Sequence, residues 1–231
     1  MKRSFDSMSM AGMSTACEWV TAYLQWMGVV RPRSFIYPVG SPVMTEAVTE
    51  MRKLFLLRHA KSSWDDPAAE DFDRPLNGRG RKDAKRMGRY MAEQGLRPGM
   101  ALVSGAARTR ATWEMIEPHL EGVPVAIEAE LYEAGKARLL TRLRQLDEHM
   151  ESVLLIGHNP GIGRLAEVLA DHHGDPALLA ALGEKFPTGA LAVIDLDIAH
   201  WGELEAGRGR LAAFIRPRDF ETPSPAGDSA L

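Results

Sequence analysis

Three short apolar runs, at 54–57, 101–103 and 153–156, are each followed at once by residues that could do chemistry: Arg58-His59, Ser104-Gly105-Ala106-Ala107-Arg108, and Gly157-His158-Asn159-Pro160-Gly161. Two guanidinium groups and two imidazoles brought together form an anion site. The planar forks of two arginines suit a tetrahedral phosphate better than a lone carboxylate. Four cationic or potentially cationic groups also repel one another unless a multiply charged anion arrives, which points to a bound phosphoryl group over a structural ion pair. An unperturbed imidazole has a pKa of about 6.5, so it is mostly neutral at pH 7, and neighbouring arginines lower the value further. One of His59 and His158 could therefore attack phosphorus. The other would donate a hydrogen bond to the phosphoryl oxygens and stabilise the charge of the transition state. No metal or other cofactor is needed.

For these residues to meet, the apolar runs must be neighbouring strands, because ligands of open α/β sheets gather at the carboxyl ends of strands. Runs 54–57, 101–103, 153–156 and 190–194 read as strands apolar on both faces, as in a sheet covered by helices on either side. Between them lie helical stripes at Ala84, Met87, Gly88 and Met91, at Leu139, Leu143 and Leu146, and at Ile162, Leu165, Ala166 and Leu169. Ala107, Ala111 and Met115 give a weaker fourth. Helices beginning near Ala106 and Gly161 would bring unpaired N–H donors and positive dipole ends to the anion. Residues 200–205 and 210–215 flank Ala206-Gly207-Arg208-Gly209 and predict an antiparallel hairpin at the sheet edge. The alternation as a whole is an α/β pattern.

Composition narrows the partners. The 231 residues are 45% hydrophobic and carry 28 basic and 31 acidic side chains, for a net charge of -3, which argues against a general nucleic-acid binder. A single cysteine, Cys17, cannot make an intrachain disulfide or a multi-thiolate metal site, and a reducing, cytoplasmic location is expected. No apolar stretch reaches the roughly 18 to 20 residues of a membrane span, and no continuous apolar signal segment is present. Residues 1–50, rich in Met and Ser, are expected to be a poorly ordered extension or the product of a gene start placed upstream of Met44 or Met51. A genuine extension that packs Trp19, Tyr23 and Trp26, at helical spacing, against the domain is the equal alternative. Residues 51–221 would form the functional domain and 222–231 a flexible tail.

Together with Ala60-Lys61-Ser62-Ser63-Trp64 and Asp73-Arg74-Pro75-Leu76 with Gly78 and Gly80, the three segments resemble the histidine phosphatase, or phosphoglycerate-mutase-like, superfamily. More narrowly they resemble its SixA-type phosphohistidine phosphatase branch, from about Lys53 to Phe220. The resemblance implies a three-layer α/β/α sandwich with a mostly parallel central sheet. It implies His59 as nucleophile, Arg58 and Arg108 as phosphate clamps, His158 as the second active-site histidine, and Pro187-Thr188-Gly189-Ala190 as a segment passing close by. A phosphoryl group would transfer in line to His59, and water would hydrolyse the phosphohistidine intermediate. The partner would be a phosphorylated protein, such as a histidine phosphotransfer domain or a phosphocarrier, or a small phosphorylated metabolite.

Larger superfamily members that cleave phosphate esters use a carboxylic acid to protonate the leaving group. Glu133 lies near where that acid would fall, but its neighbours do not reproduce the mutase pattern, and a surface glutamate is expected. Phosphohistidine has less need of such an acid, because imidazole leaves as a weakly basic neutral group. Two alternatives stand beside this reading: a small-molecule phosphomonoesterase or mutase, and a regulator that binds phosphoprotein without turnover. Arg79, Arg81, Lys82, Lys85, Arg86 and Arg89 load one helix with positive charge, a solvated face that could also steer an acidic protein. Asp195-Leu196-Asp197 lacks the threonine that an aspartate-based phosphatase would place at Ala199, and His172-His173 reads as a helix-end pair.

Overall fold

In the computed structural model, which describes residues 51–220, strand β1 (Arg52–Arg58) is apolar on both faces because it lies in the middle of a sheet. Successive side chains of a strand point to opposite sides. Leu54 and Leu56 thus face one helical layer while Phe55 and Leu57 face the other, and all four are buried. Each such burial contributes about 1.5–3 kcal/mol, so a four-residue run ties both layers to one strand. The expectations for residues 1–50, including Cys17 and the spacing of Trp19, Tyr23 and Trp26, and for 222–231 lie outside the described residues.

Strand β1 pairs in parallel with β4 (Ser152–Gly157) and antiparallel with β5 (Leu191–Leu196). Beyond β4 lies β2 (Met100–Ser104), then β3 (Val125–Glu128), and β6 (Gly209–Ile215) closes the other edge against β5. The order is β3-β2-β4-β1-β5-β6, and within this sheet β5 alone runs against the rest. Helices α1 (Gly78–Glu93) and α2 (Ala107–Ile116) cover one face, packing Met87, Met91, Trp113 and Ile116 on Phe55, Leu57, Ala101 and Val103. On the other face lie α3 (Lys136–Leu143), α4 (Gly161–Ala170) and α5 (Pro176–Glu184), with Leu139, Leu143, Ile162, Leu165 and Leu182 against Leu54, Leu56 and Leu155. This is the three-layer α/β/α sandwich with a mostly parallel sheet that the resemblance implied.

Three local expectations are corrected. Residues 200–205 are not a strand: Trp201–Glu203 forms a short 3-10 turn, and β6 pairs with β5 instead. Strand β3 was not anticipated, because it is four residues long at an edge, with Val125 and Ile127 exposed. Helix α2 exists, but its buried face is Arg108, Thr109, Thr112, Trp113 and Ile116, while Ala107, Ala111 and Met115 are only partly buried. Apolar periodicity misses that face because three of its five residues are polar and turned toward the ends of the strands.

Candidate active site

Register brings the three segments together. Strands β2, β4 and β1 are consecutive in the sheet, Arg58 lies opposite Gly157, and Val103 lies opposite Ile156. Their carboxyl ends are therefore level. His59 leaves β1 with its N–H on Gly157 O at 3.0 Å, while Gly189 N–H bonds both Arg58 O (3.1 Å) and His59 O (3.0 Å). The next residue is held from α2, where Thr112 Oγ1 accepts the Ala60 N–H at 3.0 Å. The nucleophile candidate thus sits on backbone tied to β4, to the 187–190 segment and to α2, a support that limits its wandering.

All four residues singled out in the sequence converge here. The rings of His59 and His158 lie 5.2 Å apart between centroids, and both residues are buried. His59 Nδ1 is 2.8 Å from Ala60 O; a carbonyl can only accept, so Nδ1 carries the proton and Nε2 keeps the lone pair. Burial above all lowers the His59 pKa to about 3; the hydrogen bond to Ala60 O opposes it as the next largest effect, and His158, Arg108 and Arg58 each add a smaller lowering. The ring is therefore neutral at pH 7 with Nε2 available. His158 has the opposite tautomer: Arg108 Nη2, a pure donor, lies 3.3 Å from Nδ1, and Nε2–H is left to donate to Ser104 Oγ at 2.8 Å. Burial and then Arg108 lower its pKa to about 4, against a weaker raising effect of Asp71.

The arginines are held differently. Arg58 Nη1 donates to Phe186 O at 2.9 Å, whereas its Nε is a buried donor with no acceptor among the described residues. Burial, then Arg108, lowers its pKa. Arg108 sits in the first turn of α2, where the helix dipole disfavours a cation. Asp71 offsets this: Arg108 donates to its main-chain oxygen and, at 2.9 Å, to its Oδ2. Asp71 also receives Arg74 at 2.8 Å and the Tyr132 hydroxyl at 2.7 Å, and chiefly through that hydroxyl its pKa falls to about 2 despite the opposing effect of burial. Tyr132 in turn stands edge-on to His158, 5.4 Å between centroids.

The sequence reading missed Asp71 and Tyr132 and gave Ser104 no role. It expected neutral imidazoles beside two uncompensated arginines, whereas the Asp71 carboxylate offsets the charge of Arg108. A carboxylate two residues ahead of Asp73-Arg74-Pro75 was the available signal, but nothing local ties it to an arginine 37 residues away. Glu133 is exposed and lies in a turn with φ 49, a left-handed backbone uncommon for glutamate. Asp195 serves structure, pairing with Lys53 at 2.8 Å and Arg210 at 2.9 Å, and the exposed His172 and His173 follow the end of α4. No group of three or more metal-binding side chains occurs among the described residues, nor does any helix there have the length and apolarity to cross a membrane.

Comparison with known proteins adds to this geometry. Residues 54–161 match the model of the histidine phosphatase superfamily (branch 1). An uncharacterised protein of Mycobacterium tuberculosis is 32% identical over 163 residues, spanning 70% of this chain and all of that protein. A crystal structure from Agrobacterium tumefaciens, provisionally assigned as the phosphohistidine phosphatase SixA, is 34% identical, with a TM-score of 0.62 over 72% of this chain and 98% of its own. The protein histidine phosphatase SixA in complex with tungstate is 26% identical, with a TM-score of 0.60 over 73% of this chain and 99% of its own.

Proposed function

The chain belongs to the histidine phosphatase superfamily (branch 1), and from that membership we propose that it hydrolyses phosphohistidine in a protein substrate through a covalent intermediate on His59. The observation that carries the reading is the pairing of a neutral His59, its Nε2 lone pair available, with two arginines, one of which holds a buried donor lacking an acceptor among the described residues. Donors aimed where negative charge develops are the main catalytic resource of phosphoryl transfer. Arg58 and Arg108 take the phosphoryl oxygens and His59 Nε2 attacks in line. A P–N bond forms to His59 Nε2 as the P–N bond to the substrate imidazole breaks; the departing nitrogen takes the bonding pair as its lone pair, and a proton on the other ring nitrogen makes the leaving imidazole neutral. Water then attacks phosphorus, the bond to Nε2 breaks, and inorganic phosphate leaves. His158 donates to a phosphoryl oxygen once Nδ1 is protonated. The SixA relative supports the substrate class, and its tungstate is a tetrahedral oxyanion with the shape of phosphate. The single cysteine supports a reducing, cytoplasmic setting.

The test is to trap the enzyme during turnover of a phosphohistidine peptide. We expect an acid-labile, base-stable phosphoryl label on the wild-type protein. His59→Ala should lack it and lose at least about 10³-fold in kcat/KM. No label on the wild type, with the peptide still bound, would overturn the reading in favour of a non-catalytic phosphoprotein binder. A second reading, a phosphomonoesterase of small molecules, is favoured by the left-handed backbone of Glu133 beside Tyr132, since strain of this kind concentrates at functional sites. A loss of about 10²-fold or more in Glu133→Gln with p-nitrophenyl phosphate and sugar phosphates, and not with phosphohistidine, would make Glu133 the acid.

A further inference from the structure

Beside the loop that follows His59 lies a cleft of about 270 Å³ whose lining includes Lys61, Arg79, Lys185, Arg216 and Arg218. We propose that this cleft, continued by the outer face of α1, docks an acidic segment of the phosphoprotein substrate. The proposal rests on the phosphohistidine reading above and names what surrounds the phosphoryl group in that substrate.

The cleft adjoins the candidate active site through shared backbone. Lys61 is two residues past His59. The 184–188 segment that forms one wall holds Phe186, whose carbonyl receives Arg58, and leads into Gly189, whose N–H bonds Arg58 O and His59 O. A chain delivering phosphohistidine to His59 would run its neighbouring residues along this wall. The lining is strongly cationic: five basic side chains stand against Asp83 and Glu184. Asp83 is buried and paired with Arg79, and Arg216 is paired with Asp219. Lys61 and Lys185 are exposed and have no ion pair among the described residues.

Arg79 carries the charge out of the cleft onto α1. Arg79, Arg81, Lys82, Lys85, Arg86 and Arg89 are all exposed, and between residues 78 and 92 the single acid is the buried Asp83. Ten residues of helix span about 15 Å, more than a small metabolite reaches and well within the footprint of a protein. In a chain of net charge -3 this basic face is a local feature, so its field is directional and would orient an acidic partner. A nucleic acid is the poorer match: the cleft lining holds prolines and a threonine but no aromatic side chain on which a base could stack.

The experiment compares two phosphohistidine peptides, one flanked by glutamates and one by serines, using the full chain. The wild-type protein should favour the glutamate-flanked peptide by about tenfold in kcat/KM at low ionic strength, through KM, with the preference shrinking as salt is added. The double variant Lys185→Glu, Arg218→Glu should abolish or reverse the preference, while Arg138→Glu, on the opposite helical layer, keeps it. Fluorescence anisotropy with the unphosphorylated glutamate peptide gives an independent readout and should show binding to the wild type that the double variant lacks. A wild-type ratio near one, a ratio unchanged in the double variant, or tighter binding of a single-stranded RNA at the same residues would each overturn the proposal. Failure to turn over either peptide would instead overturn the phosphohistidine reading, and the anisotropy arm would still decide the docking surface.

Discussion

At the scale of single residues, the two histidines differ in which nitrogen holds the proton, and this has a measurable consequence. His158 Nδ1 accepts from Arg108, so it cannot donate to a phosphoryl oxygen until it takes up a proton. A tetrahedral oxyanion supplies the opposite charge that favours the protonated ring and raises its pKa from about 4. Imidazole nitrogen NMR at pH 6 should find one protonated nitrogen on each ring in the free protein. On adding tungstate, His158 should carry protons on both nitrogens, with proton uptake seen by calorimetry in two buffers. A His158 ring still singly protonated in the complex would remove it as a donor. Arg58, His59, Arg108 and His158 were legible because each follows an apolar strand in a short motif. Asp71 and Tyr132 were not, because their part in the site exists only through contacts made across the fold.

At the scale of elements, what decides the site is how closely the helices approach the strand ends. Gly80, in the first turn of α1, lies so near the loop after His59 that an added Cβ would fall 2.1 Å from Lys61 O. Backbone cannot yield as a flexible side chain can, so helix and loop must part. Gly80→Ala should cost about 1–3 kcal/mol in stability and lower kcat, since Lys61 follows directly on the carbonyl that holds His59 Nδ1. Urea denaturation together with steady-state kinetics checks both, and an unchanged kcat would separate this contact from the site. The same scale explains the misplaced stripe of α2. Apolar periodicity marks a helix that faces a core, whereas this helix gives three of its five buried positions to Arg108, Thr109 and Thr112, which serve the strand ends.

For the whole molecule, burying two neutral histidines ties stability to pH. In the unfolded chain each titrates at about 6.5, and in the folded one at about 3 (His59) and about 4 (His158). Between pH 6.5 and 4 the unfolded state binds protons that the folded state refuses, so their contribution is fully present above 6.5 and is lost as pH falls through that window. The urea midpoint should drop from pH 7 to pH 4, and the drop should be shallower in the double variant His59→Gln, His158→Gln. Identical slopes would mean that other groups govern acid sensitivity. The chain alone determined the α/β class, the strand-end motifs and which four side chains follow the strands, because hydrophobic period and motif spacing are local properties written along it. Strand order, the level ends of β2, β4 and β1, both tautomers, the Asp71 contact with Arg108 and the basic cleft were decided only by the tertiary structure. Each of these depends on groups far apart in sequence meeting at distances of a few ångströms, and no local pattern encodes which distant partner a side chain finds.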